Sequence, residues 1–153
     1  MGDMKLTSRG ELALKAMLEL AKMEGSGVDL SAAEIARRCQ ASVKFLEQVM
    51  NQLRGGGFVI STRGRLGGYR LSRAADEIYV GEISRLIDGP LAPAPCASVS
   101  QHRPCDWCEN EATCDLKVVW TRVRDAIADV MDSTSLGDLV RTGARGRRDM
   151  YAI

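Results

Sequence analysis

The fold of this chain is decided by residues 42–73, which read SVKFLEQVMNQLRGGGFVISTRGRLGGYRLSR. Ser42 can cap a helix that continues to about Arg54, and the three glycines at 55–57 end it. The segments FVIST and YRLS are rich in strand-forming residues and flank the glycine-rich turn RGRLGG. They therefore predict a β-hairpin directly after the helix.

Two further helices are predicted upstream of this stretch. Between Glu11 and Met23, apolar residues recur at three- and four-residue steps, as on one face of an amphipathic helix. Ser31 and Glu34 have the spacing of a capping box, which predicts the start of a short second helix. Three helices followed by a hairpin are typical of a winged helix-turn-helix domain. We assign that domain to residues 1–73 of a mainly α chain with some α+β character.

The composition is that of an ordinary globular protein. The chain has 153 residues, of which 45% are hydrophobic and 27% charged, and this balance excludes a disordered chain. No apolar run approaches the roughly 18 residues of a membrane span. The N-terminus also lacks the apolar core of a signal peptide. We therefore expect a cytoplasmic protein that does not associate with a membrane.

The net charge of +1 conceals an uneven distribution of charge along the chain. Residues 1–73 carry 12 Lys and Arg against 7 Asp and Glu, a net of +5. Residues 74–142 carry 6 against 12, and residues 143–153 carry 3 against 1. The basic first half favours an anionic partner such as nucleic acid. Chance patterning on two solvated faces is the alternative.

The predicted third helix has one apolar face and one polar face. The apolar face would fix the position of the polar side chains, as a DNA recognition helix requires. Glutamine can form paired hydrogen bonds with adenine, and glutamate can accept from the cytosine amino group. Arginines in the glycine-rich turn suit phosphate or minor-groove contact. A merely solvated helix face is the alternative. The residues expected to contact double-stranded operator DNA are Ser42, Lys44, Glu47, Gln48, Asn51, Arg63 and Arg65.

A second predicted unit follows the hairpin. Residues 74–95 contain a short connecting helix and a proline-bearing linker. A helix from about Asp115 to Asp132 is predicted by apolar residues at heptad spacing, and we assign residues 115–142 to dimerisation. Packing within the monomer is the alternative, and residues 143–153 are expected to form a disordered basic tail. The predicted dimer interface consists of Leu116, Trp120, Val123, Ile127 and Val130.

Four of the five cysteines fall within residues 96–114, in the spacing C-x8-C-x2-C-x5-C. In a cytoplasmic chain this density indicates a metal or redox site rather than a disulfide framework. Thiolates suit an iron–sulfur cluster, either 2Fe–2S or 4Fe–4S, and also zinc. The single CxxC pair favours the cluster, because structural zinc sites favour two such pairs. Zinc and a thiol/disulfide switch remain alternatives. The candidate metal ligands are Cys96, Cys105, Cys108 and Cys114, with His102 less favoured.

Two other roles for the cysteines receive little support from the sequence. A thiol-redox enzyme using Cys105 and Cys108 would need a thioredoxin-like βαβ setting, which the predicted elements do not provide. We therefore expect no enzymatic activity. The fifth cysteine, Cys39, is expected to be a small packing residue.

Six motifs together span about residues 4–140: MKLTSRGELAL, FLEQVMNQLR, ISTRGRLGGYRLS, VGEISRLIDG, CDLKVVW and SLGDLV. They resemble the Rrf-type family of bacterial winged-helix transcriptional regulators, to which IscR, NsrR and CymR belong. The resemblance implies a homodimeric DNA-binding transcription factor whose long C-terminal helices form the interface. It also implies that Glu47, Gln48 and Arg63 occupy base-contacting positions.

The resemblance extends to the cysteine-rich segment. Cluster-bearing members of this family use three cysteines there, and Cys108 and Cys114 match the last two, while Cys96 or Cys105 matches the first. The implied candidates for a fourth ligand are the additional cysteine, His102 and Glu11 of the partner subunit. We therefore predict a repressor whose DNA affinity is controlled by an iron–sulfur cluster. It would sense iron–sulfur status, redox state or nitric oxide.

Overall fold

The computed structural model describes residues 6–151 and places three helices before a two-stranded antiparallel hairpin and three helices after it. The predicted mainly α fold with a winged helix-turn-helix is therefore confirmed. No helix in this range is both long enough and apolar enough to cross a membrane. The elements are α1 Ser8–Lys22, α2 Ala32–Cys39, α3 Val43–Gly55, β1 Val59–Thr62, β2 Gly68–Leu71, α4 Val80–Asp88, α5 Asp115–Ser133 and α6 Leu136–Tyr151.

A tight turn joins α2 to α3. Gln40 has a φ of 55°, in the left-handed region, and the backbone N–H of Ala41 donates to the carbonyl of Ala36 at 2.9 Å. A left-handed conformation costs a residue other than glycine roughly 1 kcal/mol. Ser42 then caps α3 by accepting a hydrogen bond from the backbone N–H of Phe45 at 3.2 Å. This cap fixes where the helix begins, as the sequence predicts.

The hairpin, which we call the wing, is attached to the loop before α2. Thr62 at the end of β1 pairs with Gly68 at the start of β2. Leu30 and Tyr69 exchange two backbone hydrogen bonds of 3.1 and 2.8 Å, so the loop is joined to β2 by a single antiparallel bridge. A Cβ atom on Gly68 would collide with the Leu30 carbonyl, and this close approach therefore requires glycine. The wing is thereby fixed at its base to the helical part of the domain.

One hydrophobic core joins the winged helix to the C-terminal part of the chain. Leu136, the first residue of α6, is fully buried in the core that α1, α3 and α4 also form. Its backbone N–H donates to the Ile78 carbonyl at 2.9 Å. Burial of one leucine side chain contributes about 2 kcal/mol. The core therefore extends beyond residue 73. The largest fully buried side chains are Met17, Ile35, Leu46, Val49, Met50, Leu53, Ile78, Ile83 and Leu136.

The C-terminal region contains two helices. α5 spans the predicted helix from about Asp115 to Asp132, and α6 starts after a break at Thr134 and Ser135. Ser135 and Asp138 cap α6 reciprocally, because each backbone N–H donates to the other side chain at 3.0 Å. The segment 115–142 is therefore not one continuous dimerisation helix.

The prediction of a disordered tail over residues 143–153 is wrong for residues 143–151, which continue α6. The capped start of α6 and its buried anchor Leu136 supply the nucleus that a short polar helix lacks by itself. The composition of residues 143–153 suggested disorder because composition does not report the tertiary packing that stabilises the start of α6. Residues 152–153, like residues 1–5 of the predicted first domain, lie outside the described residues.

Candidate nucleic-acid interface and cysteine loop

The two faces of α3 differ sharply in exposure. Leu46, Val49, Met50 and Leu53 are fully buried and hold the helix against the rest of the core. The opposite face contains the predicted DNA-contacting residues of this helix, all of which are exposed: Lys44, Glu47, Gln48 and Asn51. The buried face fixes the rotation of α3, so these polar side chains stand on a rigid support. Such an arrangement can present hydrogen-bonding groups to the base edges of a major groove.

Asn51 is held by a residue that the sequence did not single out. The Arg54 guanidinium donates to the Asn51 side-chain oxygen at 3.2 Å and to the Ser61 hydroxyl at 3.4 Å. Arg54 therefore connects the end of α3 to β1, and it places an exposed positive charge between the helix and the wing. Only the i, i+3 spacing from Asn51 could have indicated the first contact. The contact with Ser61 depends on the path of the wing.

The predicted wing arginines are exposed at the tip of the hairpin. The backbone N–H of Gly67 donates to the Gly64 carbonyl at 3.0 Å and closes a tight turn whose two central residues are Arg65 and Leu66. Arg63 precedes this turn and is also exposed. Among the side chains of residues 6–148, neither wing arginine has an acidic partner. Both guanidiniums can therefore contact phosphate groups of a bound nucleic acid.

Asp29 positions the wing and was also missed by the sequence interpretation. It lies in the loop before α2, where its carboxylate accepts a hydrogen bond from the Thr62 hydroxyl at 2.6 Å. The Arg70 guanidinium lies 3.9 Å from the same carboxylate. The Thr62 hydroxyl in turn accepts from the backbone N–H of Gly68 at 3.2 Å. These contacts connect both strands of the wing to one half-buried carboxylate, which limits how far the wing tip can swing.

The structure separates the four candidate ligand cysteines into two settings. We call residues 96–114 the cysteine loop. Cys96 is only 6% exposed and lies in a single turn of 3-10 helix at Pro95–Ala97, which packs against α5. Cys105, Cys108 and Cys114 are half-buried in the second part of the loop. Cys39 is half-buried against the core and far from this loop in sequence.

Three thiols of the cysteine loop are close enough to influence one another. Burial raises the pKa of the Cys108 thiol, and a hydrogen bond with Cys114 and the charges of Cys114 and Cys105 raise it further. The Cys108 Sγ also donates to the carbonyl of Asn110 at 3.3 Å. Cys96 is not among the groups that act on this pKa. Cys105 and Cys114 therefore lie near enough to Cys108 to influence its pKa, and the backbone N–H of Cys108 also donates to the Cys105 carbonyl at 3.3 Å.

The loop does not hold a finished metal site. Among residues 6–151, no three His, Cys, Asp or Glu side chains stand where they could hold one metal ion. The thiols fit an iron–sulfur cluster or zinc by their chemistry, and their assembly would accompany ligand binding.

The less favoured ligands have partners elsewhere. His102 Nε2 lies 2.8 Å from Glu111, whose other carboxylate oxygen lies 3.4 Å from Lys117. Partial burial would raise the pKa of Glu111, but the hydrogen bonds with His102 and Lys117 lower it below its usual value. Glu11 pairs with Lys15 on the surface of α1 at 2.8 Å. These contacts use Nε2 of His102 and one carboxylate oxygen of Glu11, so each residue could still bind a metal through its other ring nitrogen or carboxylate oxygen.

α5 exposes apolar side chains that nothing else in residues 6–151 covers. None of its residues is buried. Of the predicted interface, Leu116 and Val130 are 60% and 65% exposed and Val123 is also exposed, whereas Trp120 and Ile127 are half-buried. Val119 lies on the same side of the helix and is exposed as well. We call Leu116, Val119, Val123 and Val130 the apolar stripe of α5.

Polar contacts connect the cysteine loop to the winged helix through α5 and α4. Arg124 on α5 donates to the Ala97 carbonyl, beside Cys96, at 2.7 Å. Further along α5, Asp132 accepts two hydrogen bonds from Arg85 on α4 at 2.6 and 2.8 Å. A bidentate pair of this kind fixes both distance and orientation. α4 in turn packs against α1 and α3. A change in the loop can therefore reach the winged helix through packed helices.

Comparison with known proteins gives consistent matches along almost the entire chain. A profile of the Rrf2 family, described as an iron-dependent transcriptional regulator, matches residues 6–142. An rrf2-like HTH-type transcriptional regulator of Rhodobacter capsulatus is 41% identical over 140 residues, which are 90% of this chain and 93% of that protein.

Two solved structures resemble the whole arrangement of helices and wing. CymR, described as the global cysteine regulator of B. subtilis, has a TM-score of 0.74 at 36% identity and covers 90% of this chain and 97% of its own. IscR of T. potens has a TM-score of 0.69 at 31% identity, with 91% and 88% covered.

Proposed function

We propose, since this chain belongs to the Rrf2 family of transcriptional regulators, that two copies bind operator DNA as a homodimer and repress transcription. The family and its relatives are DNA-binding regulators and not enzymes, which agrees with the sequence interpretation. The observation that carries the proposal is the exposed polar face of α3 beside a wing with two exposed arginines. In this proposal α3 enters the major groove and the wing contacts phosphates and the minor groove.

The contacts within each half-site would differ in what they contribute. Glu47 and Gln48 would bind base edges and select the sequence. Lys44, Arg63 and Arg65 would contact phosphates or the minor groove and supply affinity that falls as salt rises. Ser42 and Asn51 are partly engaged by Phe45 and Arg54, so they would make additional hydrogen bonds without giving up these contacts.

The apolar stripe of α5 supports the homodimer. A helix with no buried residue and several exposed valines gains free energy when a second copy covers it. Two antiparallel or crossed α5 helices would also set the distance between the two recognition helices. Two-fold symmetry of that kind matches a palindromic operator.

Cys105, Cys108 and Cys114 would hold an iron–sulfur cluster, 2Fe–2S or 4Fe–4S, with the fourth ligand drawn from Cys96, His102 or Glu11 of the partner subunit. The three neighbouring thiols and the iron-dependent description of the matching family support this assignment. Such a cluster supplies a centre that responds to iron supply, oxidants or nitric oxide. Cys114 immediately precedes α5, so ordering of the loop would change how α5 is held.

A thiol switch in the same loop is the second candidate, because Cys114 lies close enough to Cys108 to raise the pKa of the Cys108 thiol. Oxidation of this pair by a peroxide would form one S–S bond, with the two thiol protons and two electrons reducing the peroxide to water. Zinc held by the same thiols is the third candidate.

An anaerobic preparation of the full chain distinguishes the three candidates. A cluster gives a brown protein with visible absorption, stoichiometric iron and acid-labile sulfide, whereas zinc gives a colourless metalloprotein. A thiol switch gives neither metal but a mass shift of two hydrogens on peroxide treatment. Cys105→Ala, Cys108→Ala and Cys114→Ala should each abolish the visible absorption, and Cys39→Ala is the matched control. Full absorption in all three loop variants would exclude the cluster assignment.

A further inference from the structure

Leu66 is an apolar side chain held out at the tip of a basic wing. It is 94% exposed and follows Arg65 in the turn that Gly64 and Gly67 close. The second central position of such a turn accepts small or polar residues readily, so turn geometry does not call for a leucine here. The side chain also contributes nothing to the core.

The base of the wing does not allow Leu66 to fold back onto the domain. Asp29 holds Thr62 by a 2.6 Å hydrogen bond, and Leu30 pairs with Tyr69 on the other strand. The wing tip therefore projects as a short, fixed protrusion with a leucine at its end. A fixed apolar tip retains little conformational entropy to lose when it is buried by a partner.

We propose that Leu66 is an apolar wedge that enters the minor groove of bound DNA, while Arg63 and Arg65 contact neighbouring phosphates. This inference rests on the proposed function, because it requires the wing to approach DNA. Leucine is one of the side chains that DNA-binding proteins insert between base steps. Pyrimidine–purine steps unstack most easily, so Leu66 would make the protein prefer such a step at the groove beside each recognition helix.

The charges around Leu66 favour DNA over a protein as the partner. Two exposed arginines within three residues of this leucine attract a polyanion. A single leucine also offers far less apolar area than a stable protein–protein interface buries. One apolar tip with two neighbouring guanidiniums therefore suits a groove lined by phosphates.

The test uses full-length dimeric protein and a duplex selected by that protein from a randomised DNA pool. Leu66→Ala is compared with Leu66→Met, which keeps an apolar tip, with Arg65→Ala and with Val28→Ala. Val28 is an exposed apolar residue away from the wing tip and serves as the matched control. For each protein, the dissociation constant is measured as a function of salt, and DNA bending is measured by energy transfer between the duplex ends.

Leu66→Ala should weaken binding about tenfold and reduce the bend while leaving the salt dependence unchanged, because no phosphate contact is lost. Leu66→Met and Val28→Ala should bind within about threefold of the parent protein. Arg65→Ala should instead lower the slope of log affinity against log salt by about 1. When the selection from the randomised pool is repeated with Leu66→Ala, the selected duplexes should no longer show a preference for a particular base step in each half-site.

Two results would overturn the proposal, and they differ in scope. If Leu66→Ala bound the duplex within twofold of the parent protein with the same bend, the wedge would be refuted and the DNA-binding function would stand. If the parent protein selected no duplex and showed no salt-dependent binding, both proposals would fail. Melting curves followed by circular dichroism should coincide for the parent protein and Leu66→Ala, since Leu66 packs against nothing in the domain.

Discussion

The winged-helix domain and the cysteine loop differ in how much buried core and regular secondary structure they contain. The domain has a continuous apolar core, and its recognition helix has four fully buried residues on one face. The cysteine loop has only two single turns of 3-10 helix, at Pro95–Ala97 and Glu111–Thr113, and its Trp107 is 89% exposed. A surface that selects DNA sequence benefits from rigidity, whereas a segment that responds to a ligand must be of low intrinsic stability. Under the proposed function, a bound ligand would therefore act by ordering the loop.

α5 lies between these two regions. A substitution in its apolar stripe is expected to have the largest effect, which is on dimerisation. Val123→Asp would place two unpaired carboxylates in the dimer interface, at a cost of about 4 kcal/mol or roughly a thousandfold in the dimer dissociation constant. Sedimentation equilibrium should show a monomer. Val118→Asp is the control, because Val118 is similarly exposed but lies on the other side of α5. Equal behaviour of the two variants would contradict dimerisation through the apolar stripe.

The next largest effect is expected on the stability of the winged-helix domain. Leu136→Ala removes a fully buried side chain by which α6 completes the core of the winged-helix domain. We expect the free energy of unfolding to fall by about 3 kcal/mol. Urea denaturation followed by circular dichroism measures it, with Val99→Ala in the exposed cysteine loop as the control. A loss below about 1 kcal/mol would mean that α6 is not an integral part of this core.

A smaller effect is expected at the DNA-facing surface. Arg63→Ala should weaken operator binding by about 2 kcal/mol and should reduce its dependence on salt. Fluorescence anisotropy with a selected duplex at several salt concentrations measures both quantities. Lys15→Ala, on the surface of α1 and paired with Glu11, removes the same charge at a site that we do not place on DNA. If Arg63→Ala bound the duplex with unchanged affinity, the assignment of the wing to the DNA interface would be wrong.

The smallest effect concerns the attachment of the cysteine loop to α5. Arg124→Ala removes the 2.7 Å hydrogen bond to the Ala97 carbonyl, which should cost about 1 kcal/mol. Opening of the Pro95–Ala97 turn would then expose Cys96 more often, and its labelling by a thiol reagent should be several times faster. Mass spectrometry of the labelled peptide measures this rate, with Arg122→Ala as the control. Identical labelling rates would indicate that Arg124 does not hold the turn.

Local signals predicted most of the fold correctly. The helices of the winged-helix domain could be located because capping residues, heptad or amphipathic spacing and glycine stops act over three to seven residues. The wing could also be predicted, because RGRLGG lies between two strand-forming segments. The prediction for 143–151 was wrong because the stability of α6 depends on Leu136, whose burial is provided by helices far away in sequence.

The candidate site was only partly predictable for the same reason. Glu47, Gln48 and the wing arginines were singled out because their types match DNA chemistry, and their contact with DNA stays a prediction. Arg54, Asp29 and Arg124 were missed because their partners are remote or backbone groups: Ser61, Thr62 and the Ala97 carbonyl. The spacing of residues along the sequence does not predict such contacts.

The sequence by itself determined the order of the elements, the polar face of α3, the basic wing and the concentration of cysteines in one loop. These features depend on residue type and short-range periodicity, which a chain carries whether or not it is folded. Only the tertiary structure decided that α6 belongs to the core of the winged-helix domain and that Cys96 is buried in a turn packed against α5 while the other three loop cysteines are half-buried. Those outcomes depend on which surfaces meet after folding, because burial and hydrogen bonding between distant residues exist only in the packed molecule.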